Sequence, residues 1–433
     1  MRDADTRAGW PRHRGGMRAS QTRCALALAL VLAAAGCAGN ATLEPSLSAS
    51  RADATPTPTP ALPSPTAPPE VLEWQPAVVE DAPAGWEFTR VKAVPNGFIA
   101  VAVANSGRTT ALWSSADGLR WSRLTAEDAP AAGILDVAST ALMGSLPALT
   151  AVGSSPQRAA MTWTSNDGRV WAPAAFPEPA ASLRWIAASP NVILAGGSIG
   201  SDGAIWWSTD AVSWNRARLP SAKGYFTPGA QDGSPAMVRG ANLSWSGPGK
   251  DGWTAFGDVP PPPDGAGFPV SVIWSSFDGR SWTRLPDRHG PRSESIFDVW
   301  AREEGRYVAA GTADWHPVAW WSEDFGETWQ PYDVPAGLGE IDEIVPSESG
   351  VIGLGIVAAA AVLQEPLAAV VWNLGGSDPT RQDLSDAVAG LPSSLAPSVD
   401  GAYVVVGRAW PDETGSWDAP YEPGAWVWTP TLH

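Results

Sequence analysis

The chain has 433 residues, 44% of them hydrophobic, and a formal net charge of −17. That length admits two or three domains or one large repeat domain, and so acidic a chain excludes a nucleic-acid partner, because phosphate binding needs a basic surface. The only two cysteines, Cys24 and Cys37, lie near the N-terminus, which excludes a disulfide framework from the rest of the chain.

The first 37 residues read as an export signal. Arg18 and Arg23 form a positive n-region, Cys24 to Leu32 an apolar core, and Ala34-Ala35-Gly36-Cys37 a small-residue ending. The apolar run is shorter than the ~20 residues a transmembrane helix needs. Small residues directly before a cysteine resemble the bacterial lipobox, in which residues 1–36 are removed and Cys37 becomes a lipidated N-terminus. The alternative is an ordinary secretory signal that contains a cysteine. A start at Met17 gives a signal of more usual length than a start at Met1. The lipobox implies a protein held to the membrane through Cys37 on its extracytoplasmic face.

Residues 37–72 follow with Thr-Pro-Thr-Pro-Thr-Pro at 55–60 and Pro-Ser-Pro-Thr-Ala-Pro-Pro at 63–69. Such a segment buries no apolar area and predicts an extended tether, at about 3.1 Å per residue reaching up to roughly 100 Å.

From Glu73 onward one phrase recurs: Trp113-Ser-Ser115-Ala-Asp117-Gly118-Leu-Arg-Trp121, then Trp163-Thr-Ser165-Asn-Asp167-Gly168-Arg-Val-Trp171. It returns as Trp206-Trp-Ser208-Thr-Asp210-Ala-Val-Ser-Trp214 and Trp274-Ser-Ser276-Phe-Asp278-Gly279-Arg-Ser-Trp282. The last copy is Trp320-Trp-Ser322-Glu-Asp324-Phe-Gly326-Glu-Thr-Trp329. Each reads as a β-hairpin in which Gly supplies positive φ, Asp accepts hydrogen bonds from turn amides, and the second Trp folds over the turn. Upstream of each lies a strand of small and β-branched residues, such as Gly97–Val103, Val192–Gly197 or Tyr403–Gly407. A further short strand precedes it, such as Ile134-Leu-Asp-Val-Ala138 or Ile296-Phe-Asp-Val-Trp300.

The unit is therefore four strands, a to d, with the Ser-x-Asp turn joining c to d. Third strands at Trp113, Trp163, Trp206, Trp274, Trp320, Trp372 and Trp426 make seven units. The prediction is an all-β, seven-bladed β-propeller over residues 73–433. The seventh unit runs out of chain after Trp428. Glu73-Trp-Gln-Pro-Ala-Val-Val79 matches the d strand Thr328-Trp-Gln-Pro-Tyr-Asp-Val334, so the N-terminal segment 73–79 is expected to complete blade 7 and close the ring.

The segment Ser322-Glu-Asp324-Phe-Gly326-Glu-Thr328-Trp329 matches the Asp-box, or bacterial neuraminidase repeat, and the other copies are similar but shorter or, at Asp210, lack the Gly. The chain thus resembles sialidase-like propellers. That resemblance implies an arginine triad, a tyrosine nucleophile with a glutamate, and an aspartate acid/base. Arg90, Arg184 and Arg239 fall in inner strands, and Asp136 is the acid/base candidate. No Phe-Arg-Ile-Pro segment precedes blade 1 and no Tyr lies in blade 6, so the retaining chemistry has no centre and no catalytic residue is assigned. No metal site or cofactor is expected either, since His289, His316 and His433 are scattered and no thiol remains.

Strands alternate in direction, so the c–d turns share one face with the a–b turns, while b–c and d–a loops share the other. The aspartates of the repeat are expected to be structural. A ligand is expected on the long-loop face, where Tyr225, Trp410, Asp412, Trp417 and Tyr421 offer aromatics among carboxylates, with Arg90, Arg184 and Arg239 nearer the axis. The expected protein is a monomeric, membrane-anchored binding or scaffold module for an envelope protein or glycan. The alternative is a sialidase-like exo-glycoside hydrolase.

Overall fold

The computed structural model describes residues 73–104, 109–124, 133–143 and 147–220 continuously, and most strands and tight turns from 237 to 429. Among these, the only helical segment is one 3-10 turn, Ala141–Met143. The strands form seven sheets, each built on four antiparallel strands as one blade, and one of them carries a fifth strand. Blades 1 to 6 span 86–123, 134–175, 181–216, 237–284, 295–332 and 339–383. Blade 7 takes its first three strands from 390–429 and its fourth from Glu73–Pro76.

Closure follows the expected route and adds a second pairing. Glu73–Pro76 runs antiparallel to Glu422–Thr429, with Trp74 opposite Trp428 and Pro76 opposite Trp426. The expected strand was 73–79, but the chain leaves blade 7 after Pro76. Val78 and Val79 instead pair in parallel with Arg120 and Trp121, as a fifth strand on blade 1. The Ala77 amide donates to Ala425 O at 2.9 Å, and the Val78 and Glu80 amides donate to Leu119 O and Trp121 O at 2.8 Å. The segment thus holds the last blade and the first.

A similar stitch joins blades 3 and 4, where the Arg218 amide donates to Arg280 O at 2.8 Å and that of Trp282 to Arg218 O at 3.0 Å.

The apolar residues do not collect into one core. They form seven clusters, one in each seam between neighbouring blades. This explains the near-continuous apolar second strands: Val404 and Val406 face blade 1, whereas Tyr403 and Val405 face blade 6. Trp113, Trp121, Trp206, Trp253, Trp274 and Trp372 are fully buried. At ~150–250 Å² and ~25 cal/mol per Å², each contributes roughly 4–6 kcal/mol as an upper bound.

Every inner strand carries a register shift near its start. The partners skip between Phe88 and Arg90, Ile134 and Asp136, Leu183 and Trp185, and Val238 and Gly240. They skip again between Ile296 and Asp298, Ile341 and Glu343, and Pro392 and Ser394. A bulge turns the residues beside it off the sheet's ordinary alternation. In four blades the residue just after it braces the next blade. Asp136 accepts from the Ile186 amide at 3.0 Å, Asp298 from Ile344 at 2.9 Å and Glu343 from Leu395 at 2.8 Å. Ser394 Oγ accepts from the Val91 amide at 3.2 Å, across the blade 7 to blade 1 seam. In blade 4 that position is Gly240, and Asn242 reaches Asp298 and Val299 O instead, at 2.7 and 2.8 Å.

Candidate functional site

The Ser-x-Asp turns are built by their own side chains. In the first, Ser115 Oγ donates to Asp117 Oδ1 at 3.2 Å and accepts from the Gly118 amide at 2.8 Å. Asp117 Oδ1 also takes the Leu119 and Arg120 amides at 2.9 and 3.1 Å. The indole of Trp121 closes the turn by donating to Gly118 O at 2.7 Å. The same pattern holds at Ser165, Asp167, Gly168 and Trp171, and at Ser276, Asp278, Gly279 and Trp282. The longer copy keeps it for Ser322, Asp324, Gly326 and Trp329, with Thr328 Oγ1 donating to the second Asp324 oxygen at 2.6 Å.

In the third copy Ser208 and Asp210 keep their bonds, while Ala211 stands in the Gly position at a φ of 61°. Burial raises the Asp210 pKa, but the amides of Ser213 and Val212 outweigh it and bring it to about 2. For Asp117 the Leu119 and Arg120 amides likewise overcome burial and lower the pKa; for Asp167 the Arg169 and Val170 amides are the leading cause. Thr328 does the same for Asp324. Hydrogen bonds from the turn amides favour the ionised form of these carboxylates.

The sialidase-type candidates separate in space. Asp136 is 1% exposed, and its two oxygens take the Val137 and Ile186 amides at 2.9 and 3.0 Å. It is an inter-blade brace, without the reach to act on a substrate. Arg184 and Arg239 are the extra residues of their bulges, whereas Arg90 stands one place later, where blades 2, 5 and 6 have Asp136, Asp298 and Glu343. Arg239 pairs with Asp258 at 2.5 Å, and Arg90 donates to Thr89 O at 2.9 Å. The three do not occupy equivalent positions around the axis.

Arg239 and Arg90 meet acids on blade 6. Burial pushes the Glu340 carboxyl up, with Arg239 opposing. Burial, then Glu340 and Glu343, push Asp342 up to about 8 against the pull of Arg90. Blades 4 and 6 are separated by blade 5, and blades 6 and 1 by blade 7. The charges therefore feel one another across the hub of the ring, near the long-loop ends of the inner strands.

Of the aromatic candidates, Tyr421 is half-buried beneath Arg408, whose guanidinium carbon lies 4.1 Å from the ring centroid. Arg408 also grips Glu87, with Nε at 2.8 Å from Oε2, so Tyr421 belongs to the clasp between blades 7 and 1. Tyr225, Trp410, Asp412 and Trp417 lie outside the described residues. Cys37 lies outside them as well. Among the described residues no group of three or more His, Cys, Asp or Glu is arranged to hold a metal ion.

One residue on this face escaped the sequence reading. Ala313 pairs with His316, so Asp314-Trp315 is a two-residue b–c turn, and both have positive φ, 49° and 65°. Such a turn favours Asn-Gly, and a bulky residue there is strained. Trp315 is nevertheless 64% exposed, and the turn is tied to blade 6. The Gly339 amide donates to Trp315 O at 2.7 Å, and Thr312 Oγ1 donates to Gly339 O at 3.0 Å. The next residue is Glu340. The available signal was a hairpin without a Gly or Asn at its tip.

Fold and turns together define a seven-bladed β-propeller. No protein-family model and no curated protein matches the chain. Among solved structures it is similar to YCF48 from Cyanidioschyzon merolae at a TM-score of 0.52 and 13% identity, over 82% of this chain and 99% of that one. It is also similar to a streptogramin B lyase at 0.51 and 10%, over 83% and 98%. The phage phi92 endosialidase matches at 0.44 and 11%, over 84% of this chain and 70% of its own. Identities this low establish the propeller and nothing of its activity.

Proposed function

We propose that the protein is a lipid-anchored, extracytoplasmic binding module whose propeller presents its long-loop face to an envelope ligand. The observation that carries this is the division of labour between the faces. On one, the Ser-x-Asp turns, similar to Asp-boxes, spend every carboxylate on their own geometry. On the other, an exposed indole is held at positive φ beside the acids of blade 6, which costs stability and is not required by the tie to blade 6, since Trp315 contributes only its carbonyl there. The lipobox-like ending at Cys37 and the Pro-rich run to residue 72 support a tethered, membrane-bound setting. A glycoside hydrolase is disfavoured because Asp136 is committed to two backbone amides, and the sequence offers no obvious tyrosine nucleophile with a glutamate partner.

The test is hydrolysis of a fluorogenic sialoside panel by the chain and its Arg184→Ala variant. No turnover by either is expected, whereas turnover that disappears in the variant restores the hydrolase. Anchoring is tested by metabolic labelling with a palmitate analogue, expected for the wild type and lost in Cys37→Ala.

A further inference from the structure

We infer that Trp315, Glu340 and Asp342 form a recognition site for a basic peptide segment of a protein partner, seating a lysine or arginine side chain between the indole and the blade 6 carboxylates. The inference rests on the binding-module reading and supplies its ligand class.

Three observations carry it. First, Trp315 is 64% exposed in a turn whose φ of 65° a glycine would adopt without strain. Its indole is one of the six large apolar side chains left exposed among the described residues, and the only tryptophan of the six. An exposed indole face attracts cations through its quadrupole.

Second, the turn is pinned to the start of the blade 6 inner strand by the Gly339 amide at 2.7 Å, which sets Trp315 beside Glu340. Glu340 and the bulged Asp342 follow within three residues on the same strand, and both are half-buried. Arg239 and Arg90 face them across the hub, but Arg239 is shared with Asp258 at 2.5 Å. Glu343 is engaged with the Leu395 amide at 2.8 Å. Burial and the nearby Glu340 make ionising Asp342 costly, and a ligand cation seated at the two carboxyls offsets that cost.

Third, the whole chain carries −17, which steers basic segments toward it. A glycan would use the indole equally well but draws nothing from the ionisation of the two carboxyls or from the net charge, so the basic peptide is favoured.

The experiment is fluorescence anisotropy of a labelled lysine decapeptide against the full chain at about 0.15 M salt. Binding should weaken tenfold or more in Trp315→Gly and in the Glu340→Gln/Asp342→Asn double variant. It should be unchanged in Glu323→Gln, which removes an exposed charge from the opposite face. Trp315→Gly should at the same time raise the thermal midpoint by about 1–3 °C, because glycine relieves the turn. A residue of purely structural importance would not lose binding while gaining stability. Equal weakening by Glu323→Gln would show that bulk charge alone attracts the peptide, and overturns the site. Binding of chitohexaose that depends on Trp315, with none of the decapeptide, overturns the peptide and keeps the binding module. Absence of both, with sialoside turnover present, overturns the module itself.

Discussion

Glycine in the Ser-x-Asp turns serves two purposes. Gly118 has a φ of +80°, and a Cβ there would lie 2.6 Å from Val404 Cγ2 on the preceding blade. Gly279 meets Leu194 and Gly326 meets Leu285 in the same way, at 2.8 and 2.6 Å. Gly118→Ala is therefore expected to cost about 2–4 kcal/mol, part from the left-handed backbone and the rest from overpacking the seam. Ala211 already occupies this position at a φ of 61° and is buried. Ala211→Gly exchanges about 1 kcal/mol of backbone relief for about 0.8 kcal/mol of lost methyl burial, and should be nearly neutral. Urea unfolding of the two variants checks the contrast. Equal midpoints would mean that the approach of neighbouring blades is not close at these turns.

Titrating carboxyls act in opposite directions on the two faces. Burial and Glu343 push Asp298 up to about 7, against the amides of Ile344 and Val299 and the Asn242 side chain, and Asp342 stands at about 8. Both are ionised in the unfolded chain above about pH 4, so the unfolded state then binds fewer protons and stability falls as pH rises. The fall continues until pH passes about 8. The depressed Asp117, Asp167, Asp210 and Asp324 have the reverse effect, losing stability as pH drops below about 4, with Asp210 contributing down to about 2. Thermal midpoints measured from pH 3 to 9 should peak near pH 4–5 and decline to about pH 8, less steeply in Asp342→Asn. A midpoint that rises from pH 5 to 8 contradicts these placements.

At the scale of the element, the parts legible in the sequence were those with a fixed period. Trp at the third strand, Ser-x-Asp at the c–d turn and the matching Trp-Gln-Pro of 73–79 and 328–334 located seven blades and the closing strand. The inner-strand bulges were hidden because a bulge changes register without changing composition. Ile134-Leu-Asp-Val and Ile296-Phe-Asp-Val carry the sign, an acid set among apolar residues of a strand. The parallel pairing of Val78–Val79 on blade 1 was equally hidden, since it depends on the path after Pro76. Trp315 was missed because its turn lacks the residues that turn chemistry leads one to expect. The closing strand itself makes a direct prediction. With Cys24 and Cys37 replaced by Ser, Gln75→Cys and Val427→Cys stand opposite each other in the ladder and should form a disulfide on mild oxidation. Peptide mapping should find that link in monomer. Failure there, with a link from Gln75→Cys to Trp426→Cys, would place the strand one residue out of register.

For the whole molecule, seven seam clusters and the side-chain braces commit the surfaces between neighbouring blades to packing, which leaves the rims as the faces open to a ligand. The rim with the Ser-x-Asp turns is committed to its own hydrogen bonds. The opposite rim gathers what the ring does not need: an exposed indole at positive φ, half-buried acids on blade 6, and arginines from blades 1, 3 and 4. The measurement that bears most directly on this division is amide hydrogen exchange of the full chain with and without the lysine decapeptide. Protection is expected over 312–318 and 339–343, with none at the five Ser-x-Asp turns. Protection confined to 115–121, 165–171, 208–214, 276–282 or 322–329 would contradict it and move the working surface to the other face.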